Sequence, residues 1–338
     1  MTVQIAIIGL GQVGASVGLS LAAHTDQVTR LGNDIQPGIA QKALKLGAID
    51  KVQYNLPSAV AGADVVFLAI PVDQIRETLK IIAQDVKTDA VVMDTAPAKA
   101  AVAAWAKELL PERRHYVGLT PVFNPSCLHE QAQGIEAARA DLFQKGLIAI
   151  AAPSGTPGEA VKLAADLATL LGAQPFFVDL AEVDGMMASA HLLPQLSAAA
   201  LINTLMGQPG WPDIRKVTGR PFASATDQAI FQDGAVALQE AALHNRENVV
   251  RLLDELVANL TVLRTAVAQK DADDLKSHLE TAREGQLKWW QERSTGDWLS
   301  VERGRPEMPK SGDMMWKQQL GGLSRLFEPR RRGEEKKK

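Results

Sequence analysis

The sequence of 338 residues is poor in cysteine and in aromatic residues. Its single cysteine, Cys127, excludes an internal disulfide framework and any metal site built from several cysteines. Aromatic residues make up only 5%, so aliphatic side chains and alanine must form the core. The six histidines show no zinc-ligand spacing such as HExxH, and we expect no metal. With 46% hydrophobic and 22% charged residues, a wholly disordered chain is also excluded.

The chain lacks the surplus of positive charge that a nucleic-acid-binding protein needs. Its net charge is −3, although six of the last ten residues are Lys or Arg, so the body is acidic and only the tail is basic. Residues 1–23 have no basic start and contain glycines, which argues against a signal peptide. Residues 186–206 approach the length of a membrane span, but His191 and Pro194 favour a buried helix. We therefore expect a cytoplasmic protein with neither a membrane nor a nucleic-acid partner.

Short runs of β-branched residues alternate with helical patterns over the first 180 residues. Strands are predicted at residues 3–8, 28–34, 65–70, 90–94, 116–119, 147–151 and 176–178, with helices at 12–23, 38–46, 75–83, 98–110 and 159–171. Strands that alternate with helices imply a mainly parallel sheet covered on both faces. The predicted fold class is α/β followed by all-α: a Rossmann-type doubly wound domain over residues 1–182, then a helical domain.

Beyond residue 183 the pattern predicts helices and no strand. Apolar residues from Val249 to Val267 recur with a 4-3-4-3-4 spacing, which places one seam along a helix of at least five turns. Asp271 then has the character of an N-cap residue. Two interpretations of the seam stay open: it packs inside a bundle of the same chain, or part of it packs against a second subunit. We expect a helical substrate and dimerisation domain over 183–296, and a loose extension with the basic tail over 297–338.

A glycine-rich turn follows the first predicted strand directly. In the segment Gly9-Leu10-Gly11-Gln12-Val13-Gly14, the first glycine makes the turn, the second admits a pyrophosphate and the third lets helix and strand pack closely. Asp34 ends the second predicted strand, where a carboxylate can accept hydrogen bonds from the ribose hydroxyls of NAD and would repel a 2′-phosphate. This segment, with Gln12 and Val13 among the contacts, predicts NAD as the cofactor, with NADP less favoured.

Over residues 3–292 the chain resembles the prephenate/arogenate dehydrogenase family of tyrosine biosynthesis. The segments that carry the resemblance are GLGQVGASVGLSLA, ALKLGAID, ADVVFLAIPV, VMDTAPAKA, YVGLTPVFNP, DGMMASAHLLPQLSAAAL and ENVVRLLDELVANL. The resemblance implies an oxidoreductase of aromatic amino acid biosynthesis: hydride passes from the ring carbon that bears the hydroxyl to the nicotinamide, and the ring carboxylate leaves as CO₂. It also implies a homodimer through the helical domain, and it adds Pro71 and Asp94 to the cofactor-binding candidates.

The sequence departs from the family pattern at two positions that carry chemistry. Thr120, in Gly118-Leu119-Thr120-Pro121, stands where the family has a histidine in a GGHP-like motif. Pro97 stands where the family has a serine, although Lys99 remains from the same segment. A threonine hydroxyl can hydrogen-bond a substrate, but its high pKa prevents it from accepting a proton unaided. Thr120 and Lys99 are the catalytic candidates of this part of the chain.

Residues of the second half could complete the site. His191 lies in the segment that matches a family motif with two histidines, with the proline offset by about one residue and Gln195 in the second place. We take His191 as the third catalytic candidate. For substrate binding, the resemblance implies a helical-domain arginine for a carboxylate, for which Arg215 and Lys216 are candidates, and His129 follows the enlarged loop after Thr120.

Three functions stay open at this point. The first is an NAD-dependent prephenate or arogenate dehydrogenase. The second keeps hydride transfer but acts on a different hydroxy acid or an imine, with Lys99 as the proton donor. The third is an NAD(H)-binding regulatory protein without catalysis, consistent with the loss of the family's histidine and serine.

Overall fold

The computed structural model describes residues 2–130 and 132–295, and its centre is one eight-stranded sheet. The strands are β1 (Val3–Ile8), β2 (Val28–Asn33), β3 (Lys51–Val52), β4 (Val65–Leu68), β5 (Val91–Asp94), β6 (His115–Val122), β7 (Leu147–Ala151) and β8 (Gln174–Phe177). Their order across the sheet is β3-β2-β1-β4-β5-β6-β7-β8. All neighbouring pairs are parallel except β6 and β7. The prediction of a mainly parallel, doubly wound sheet is confirmed.

Alternate residues of the central strands enter two separate apolar cores. Phe67 and Met93 pack on one face of the sheet, whereas Val66 and Val92 pack on the other. This follows from the period of two along a strand, and it explains why β4 and β5 read as continuous apolar runs. The helices that cover the faces are α1 (Gln12–Leu21), α2 (Pro37–Lys45), α3 (Leu56–Val60), α4 (Val72–Ile82), α5 (Lys99–Leu109) and α6 (Gly158–Leu170).

The second half of the described chain is helical throughout. Its elements are α7 (Leu180–Met187), a π turn at Ala188–Leu192, α8 (Leu193–Met206), α9 (Trp211–Val217), α10 (Arg220–Thr226), α11 (Ala235–His244), α12 (Arg246–Gln269) and α13 (Ala272–Thr295). Apolar residues of the π turn, α11 and α12 join the core on the α4–α5 side of the sheet. The helical half therefore packs directly against the edge of the sheet where a nucleotide site is expected.

Every strand and helix predicted for the first 180 residues is present, and two short elements of that region were not predicted. β3 and α3, with two and five residues, were not predicted because neither is long enough to show a period. The predicted helix through the seam is confirmed as α12, and Asp271 caps α13 by accepting the Asp274 N–H at 3.0 Å. The predicted domain limit at 182 falls within α7. The predicted extension over 297–338 lies outside the described residues.

The expectation of a buried helix at residues 186–206 is wrong for the single chain. One helix among the described residues, Leu180–Met206, is long and apolar enough to cross a membrane by length and composition alone, a test that core helices also pass. Only 17% of its apolar window is buried. The seam of α12 is exposed in the same way towards its far end, where Leu260 is 55% and Val267 60% exposed. Within the single chain the start of the seam at Val249 is therefore covered, but its far end is not.

Candidate active site

The glycine-rich turn between β1 and α1 has the shape that a dinucleotide phosphate needs. Gly9 has a φ of +87°, and a Cβ at Gly9 or Gly14 would overlap the backbone of the turn or of the segment after β4. At Gly11, by contrast, a Cβ would meet nothing within 4 Å. The turn is thus closed where the chain packs against itself and open where the backbone faces the space beside the N-terminus of α1.

Asp34 follows β2 and fixes this turn from the side. One carboxylate oxygen accepts the Leu10 N–H at 2.8 Å and the other accepts the Gln36 N–H at 2.8 Å. Each oxygen keeps a lone pair, and the side chain is only half-buried, so it can also accept from ribose hydroxyls. The open space at Gly11 and this carboxylate fit an NAD cofactor, which these residues would hold.

The remaining cofactor candidates of the turn and of β4 lie around the same edge of the sheet. Gln12 begins α1 and donates from its side chain to the Ala137 carbonyl at 3.5 Å, while Val13 packs against the core. Pro71 lies immediately before α4, at the carboxyl end of β4. In a doubly wound sheet, ligands bind outside the carboxyl ends of the strands, and Gln12 and Pro71 lie at that edge.

Asp94 does not have the place that the sequence predicted. Its carboxylate is 0% exposed and accepts the Tyr116 hydroxyl at 2.6 Å, the Lys99 ammonium at 2.9 Å and the Ala96 N–H at 2.7 Å. Because all of these partners lie inside the protein, the side chain cannot contact a cofactor. Asp94 instead fixes the loop between β5 and α5, whose Pro97 lines the space between the two halves of the chain.

Lys99 was predicted as a catalytic residue, and the structure contradicts this. Its side chain is 0% exposed, and its ammonium donates to the carboxylate and to the carbonyl oxygen of Asp94 at 2.9 and 3.0 Å. Burial lowers the pKa of Lys99, and the charge of Asp94 opposes this change. The apolar stem of Lys99 lies beneath Gly118, where a Cβ would be 2.7 Å from the Lys99 Cδ atom. Lys99 therefore supports the strand that carries Thr120 and does not reach a substrate.

Asp184 was not among the site residues predicted from the sequence. It lies in α7, is 5% exposed, and accepts the N–H groups of Lys99 and Ala100 at 2.6 and 3.0 Å. Burial raises its pKa, while these two hydrogen bonds act in the opposite direction. The helical half thus supplies the N-terminal cap of α5, and Asn245 in turn donates to the Asp184 carbonyl at 2.6 Å. Asp184 belongs to the DGMM segment that carries the family resemblance, but its hydrogen-bond partners lie 84 and 85 residues away in the sequence. Local spacing could therefore not predict this contact.

Thr120 lies on β6 with its hydroxyl facing the helical half of the chain. Tyr116 lies in the core on that side, and the period of two places Thr120 on the same face of the strand. The residue is 9% exposed, and its Oγ1 atom has no hydrogen-bond partner. A buried hydroxyl without a partner costs about 1–3 kcal/mol, so this atom is poised to bind a polar ligand group.

His191 lines a small cleft between the two halves of the chain. The residues that form the cleft include Val72 and Pro97 from the nucleotide-binding half, and His191, Gln195 and Asp233 from the helical half. His191 keeps contact with solvent at the mouth of the cleft, yet desolvation lowers its pKa while the charge of Asp233 opposes this. The structure therefore places an imidazole with a lowered pKa opposite the loop that follows β5.

The other three predicted site residues are not brought to this cleft within the single chain. Arg215 and Lys216 lie exposed on α9, and Lys216 pairs with Asp213 at 2.7 Å. His129 packs against Trp290 of α13, with 5.2 Å between the ring centroids. The structure thus leaves their predicted roles in substrate binding without support from one chain. In residues 2–130 and 132–295 no three His, Cys, Asp or Glu side chains gather as metal ligands would.

Comparison with known proteins agrees with this geometry. The family model "Prephenate dehydrogenase, nucleotide-binding domain" matches residues 17–176, and "Prephenate dehydrogenase, dimerization domain" matches residues 180–281. The chain is 27% identical to prephenate dehydrogenase of Bacillus subtilis over 83% of this chain and 74% of that protein. It is 28% identical to cyclohexadienyl dehydrogenase of Zymomonas mobilis over 84% of this chain and 95% of that protein.

A solved structure supports the fold independently. Prephenate dehydrogenase from Aquifex aeolicus, in complex with hydroxyphenyl propionate and NAD⁺, superimposes with a TM-score of 0.74 at 23% sequence identity. The match covers 85% of this chain and 98% of that one. Two family models in the expected order, on a Rossmann-type domain followed by a helical domain, lead to one conclusion: the chain belongs to the prephenate dehydrogenase family of NAD-dependent oxidoreductases.

Proposed function

We propose that this protein catalyses the NAD-dependent oxidative decarboxylation of prephenate or arogenate in tyrosine biosynthesis. The observation that carries the proposal is the buried, unpartnered hydroxyl of Thr120, which lies at the same edge of the sheet as the open turn at Gly11. A site with these two features offers one polar contact for a ring hydroxyl beside the place of the cofactor. The names of the curated relatives agree with this reaction.

Within this reaction, the chain's own residues bind and orient the substrate. NAD, when bound, accepts the hydride that leaves the ring carbon. The Thr120 hydroxyl hydrogen-bonds the substrate hydroxyl but cannot act as the base, because its pKa lies far above neutral pH. His191 is the group with a suitable proton affinity, since desolvation lowers its pKa and favours the neutral imidazole at pH 7. Val72 and Pro97 form an apolar wall of the cleft beside His191.

The direct test is turnover by the purified protein with NAD and either prephenate or arogenate. We expect NADH to form with at least one of them, and no NADH with either would refute the proposed activity. A Thr120→Val variant keeps the shape of the side chain and removes the hydroxyl. We expect kcat/KM to fall about tenfold, equivalent to about 1.4 kcal/mol, without loss of folding. An unchanged kcat/KM would show that the Thr120 hydroxyl does not contribute to binding or catalysis.

One observation favours a second candidate, the oxidation of a different hydroxy compound or an imine. Among the described residues, no Arg or Lys lines the cleft at His191, whereas prephenate carries two carboxylates. We propose Arg215 and Lys216 as carboxylate ligands only if a second subunit brings them to the cleft, with His129 in the same secondary role. Turnover of a monocarboxylic hydroxy acid in preference to both ring substrates would establish the second candidate. NAD binding without any turnover would point instead to a regulatory protein.

We further propose a cytoplasmic homodimer that forms through the helical domain. The exposed apolar residues of helix Leu180–Met206 and of α12 support it, as does the family model's description of residues 180–281 as a dimerization domain. Sedimentation of the purified chain should give the mass of a dimer. A Leu260→Glu variant, which puts a charge on the exposed seam of α12, should shift it towards the monomer. A wild-type chain that sediments as a monomer would contradict the proposal.

A further inference from the structure

Asp233 lies in the cleft with His191. Both residues line the space closed by Val72 and Pro97 of the nucleotide-binding half. The pair therefore lies where the two halves of the chain meet, at the edge of the sheet that carries the glycine turn and Thr120. Asp233 and His191 form no ion pair within 4.0 Å, so the carboxylate acts on the imidazole through its charge across the cleft that both residues line.

A tight turn before α11 brings Asp233 to this position. Phe231 has a φ of +50° and Gly234 a φ of +89°, and the Gly234 N–H donates to the Phe231 carbonyl at 2.6 Å. A left-handed conformation at a phenylalanine costs about 1–3 kcal/mol, which the surrounding structure must offset. The turn thus holds Asp233 just before α11, where the positive end of the helix favours its carboxylate.

The π turn at Ala188–Leu192 brings His191 to the other wall. The proline of this segment lies about one residue out of register with the family motif. A π turn contains one residue more than the α-helix around it, so it absorbs such an offset. Gln195 donates to the His191 carbonyl at 3.0 Å and stabilises the turn. A histidine in this segment therefore faces the cleft although the spacing to Pro194 has changed.

Among the described residues that line the cleft, Asp233 is the one charged side chain beside His191. His191 faces Asp233, which lies just before α11. Asp73 of α4 acts through its charge on Asp233. Val72 and Pro97 are uncharged, and so are the other residues that line the cleft. Burial raises the pKa of Asp233, and the neighbouring His191 opposes this. The imidazole and this carboxylate consequently depend on each other for their charge states.

We propose that Asp233 is a positioning residue that makes His191 the proton acceptor of the cleft, in place of the histidine that Thr120 replaces in this chain. The inference rests on the proposed function. As the hydride leaves for NAD⁺, His191 accepts the proton of the ring hydroxyl, and the electron pair of the O–H bond forms the C=O bond. Loss of CO₂ then returns electrons to the ring, and His191 gives the proton back to the phenol oxygen. Asp233 stabilises the imidazolium that exists between these two transfers.

The test compares Asp233→Asn with His191→Asn and with Asp85→Asn as the matched control. Asp85 lies exposed beyond the far end of α4, so its replacement removes one charge without touching the cleft. We expect His191→Asn to lose about a hundredfold or more in kcat. Asp233→Asn should lose about tenfold at pH 7, with the acid limb of its pH profile shifted to lower pH because the imidazolium is less stable. The control should keep the wild-type profile. An Asp233→Asn profile that coincides with wild type would overturn the inference.

A second measurement separates this inference from the proposed function. The six histidines can be followed by NMR titration of the whole chain, with His191 assigned through the signal lost in His191→Asn. The His191 pKa should be lower in Asp233→Asn than in wild type and in the Asp85→Asn control. An unchanged His191 pKa overturns the charge partnership even if the protein turns over prephenate. A lower pKa without turnover of either ring substrate supports the pair and refutes the proposed activity instead.

Discussion

Replacing Lys99 by methionine tests the buried ion pair that the structure places beneath Thr120. Methionine keeps most of the apolar stem but removes the ammonium that donates to the Asp94 carboxylate at 2.9 Å. Both side chains are 0% exposed, so the carboxylate would stay buried with only the Tyr116 hydroxyl and one N–H as donors. Removal of one partner from a buried pair costs about 3–5 kcal/mol. We expect the free energy of unfolding to fall by this amount.

The assay is urea unfolding followed by circular dichroism, applied to Lys99→Met, Asp94→Asn and the double variant. Each single variant leaves a group without its charge partner, whereas the double variant removes both charges. The double variant should therefore be more stable than the sum of the single changes predicts, by about 2–3 kcal/mol. Additive effects, or a loss below about 0.5 kcal/mol in Lys99→Met, would refute the reasoning.

Turnover by the same variant separates a buried support from a proton donor. Since the ammonium does not reach the cleft, Lys99→Met should keep the shape of the wild-type pH profile at temperatures where it stays folded. If the pH profile of Lys99→Met lost one limb while the fold stayed intact, Lys99 would be a catalytic residue after all.

Three further predictions concern other parts of the chain. Gly11→Val should weaken NAD binding at least about tenfold without changing stability, because its Cβ would fill only open space, and Gly38→Val is the matched control for calorimetry. Asp184→Ala should cost about 2–4 kcal/mol in urea unfolding, since two buried N–H groups of α5 lose their acceptor, whereas Asp184→Asn keeps one and should cost less. Burial would raise the pKa of Asp50, but hydrogen bonds from Arg30 outweigh it and lower the pKa. The stabilisation from this ion pair is present above the usual Asp pKa and is lost as the pH falls through the lower pKa that Asp50 has in the folded protein. The melting temperature should therefore fall less with decreasing pH in Asp50→Asn than in wild type.

The sequence predicted those parts of the site that local chain geometry builds. The turn from Gly9 to Gly14 depends on residues within one βα unit, and Asp34 follows the neighbouring strand, so period and spacing were sufficient. β3 and α3 were not predicted, because the conformation of such short elements is determined by neighbouring strands and helices.

The places of Asp94 and Lys99 could not be read from their spacing. Whether a lysine points into a cleft or into the protein depends on the space above it, and here Gly118, 19 residues later, leaves room for the Lys99 stem. The same limit applies to Asp184, whose hydrogen bonds join two halves of the chain.

By itself, then, the sequence determined the order of strands and helices, the dinucleotide turn and the family, because these depend on patterns within short stretches of chain. Only the tertiary structure decided which polar residues face the cleft: it buried Asp94 and Lys99, left the Thr120 hydroxyl without a partner, and placed Asp233 opposite His191. The physical reason is that burial and charge depend on residues far apart in sequence, which come together only when the helical half packs against the sheet.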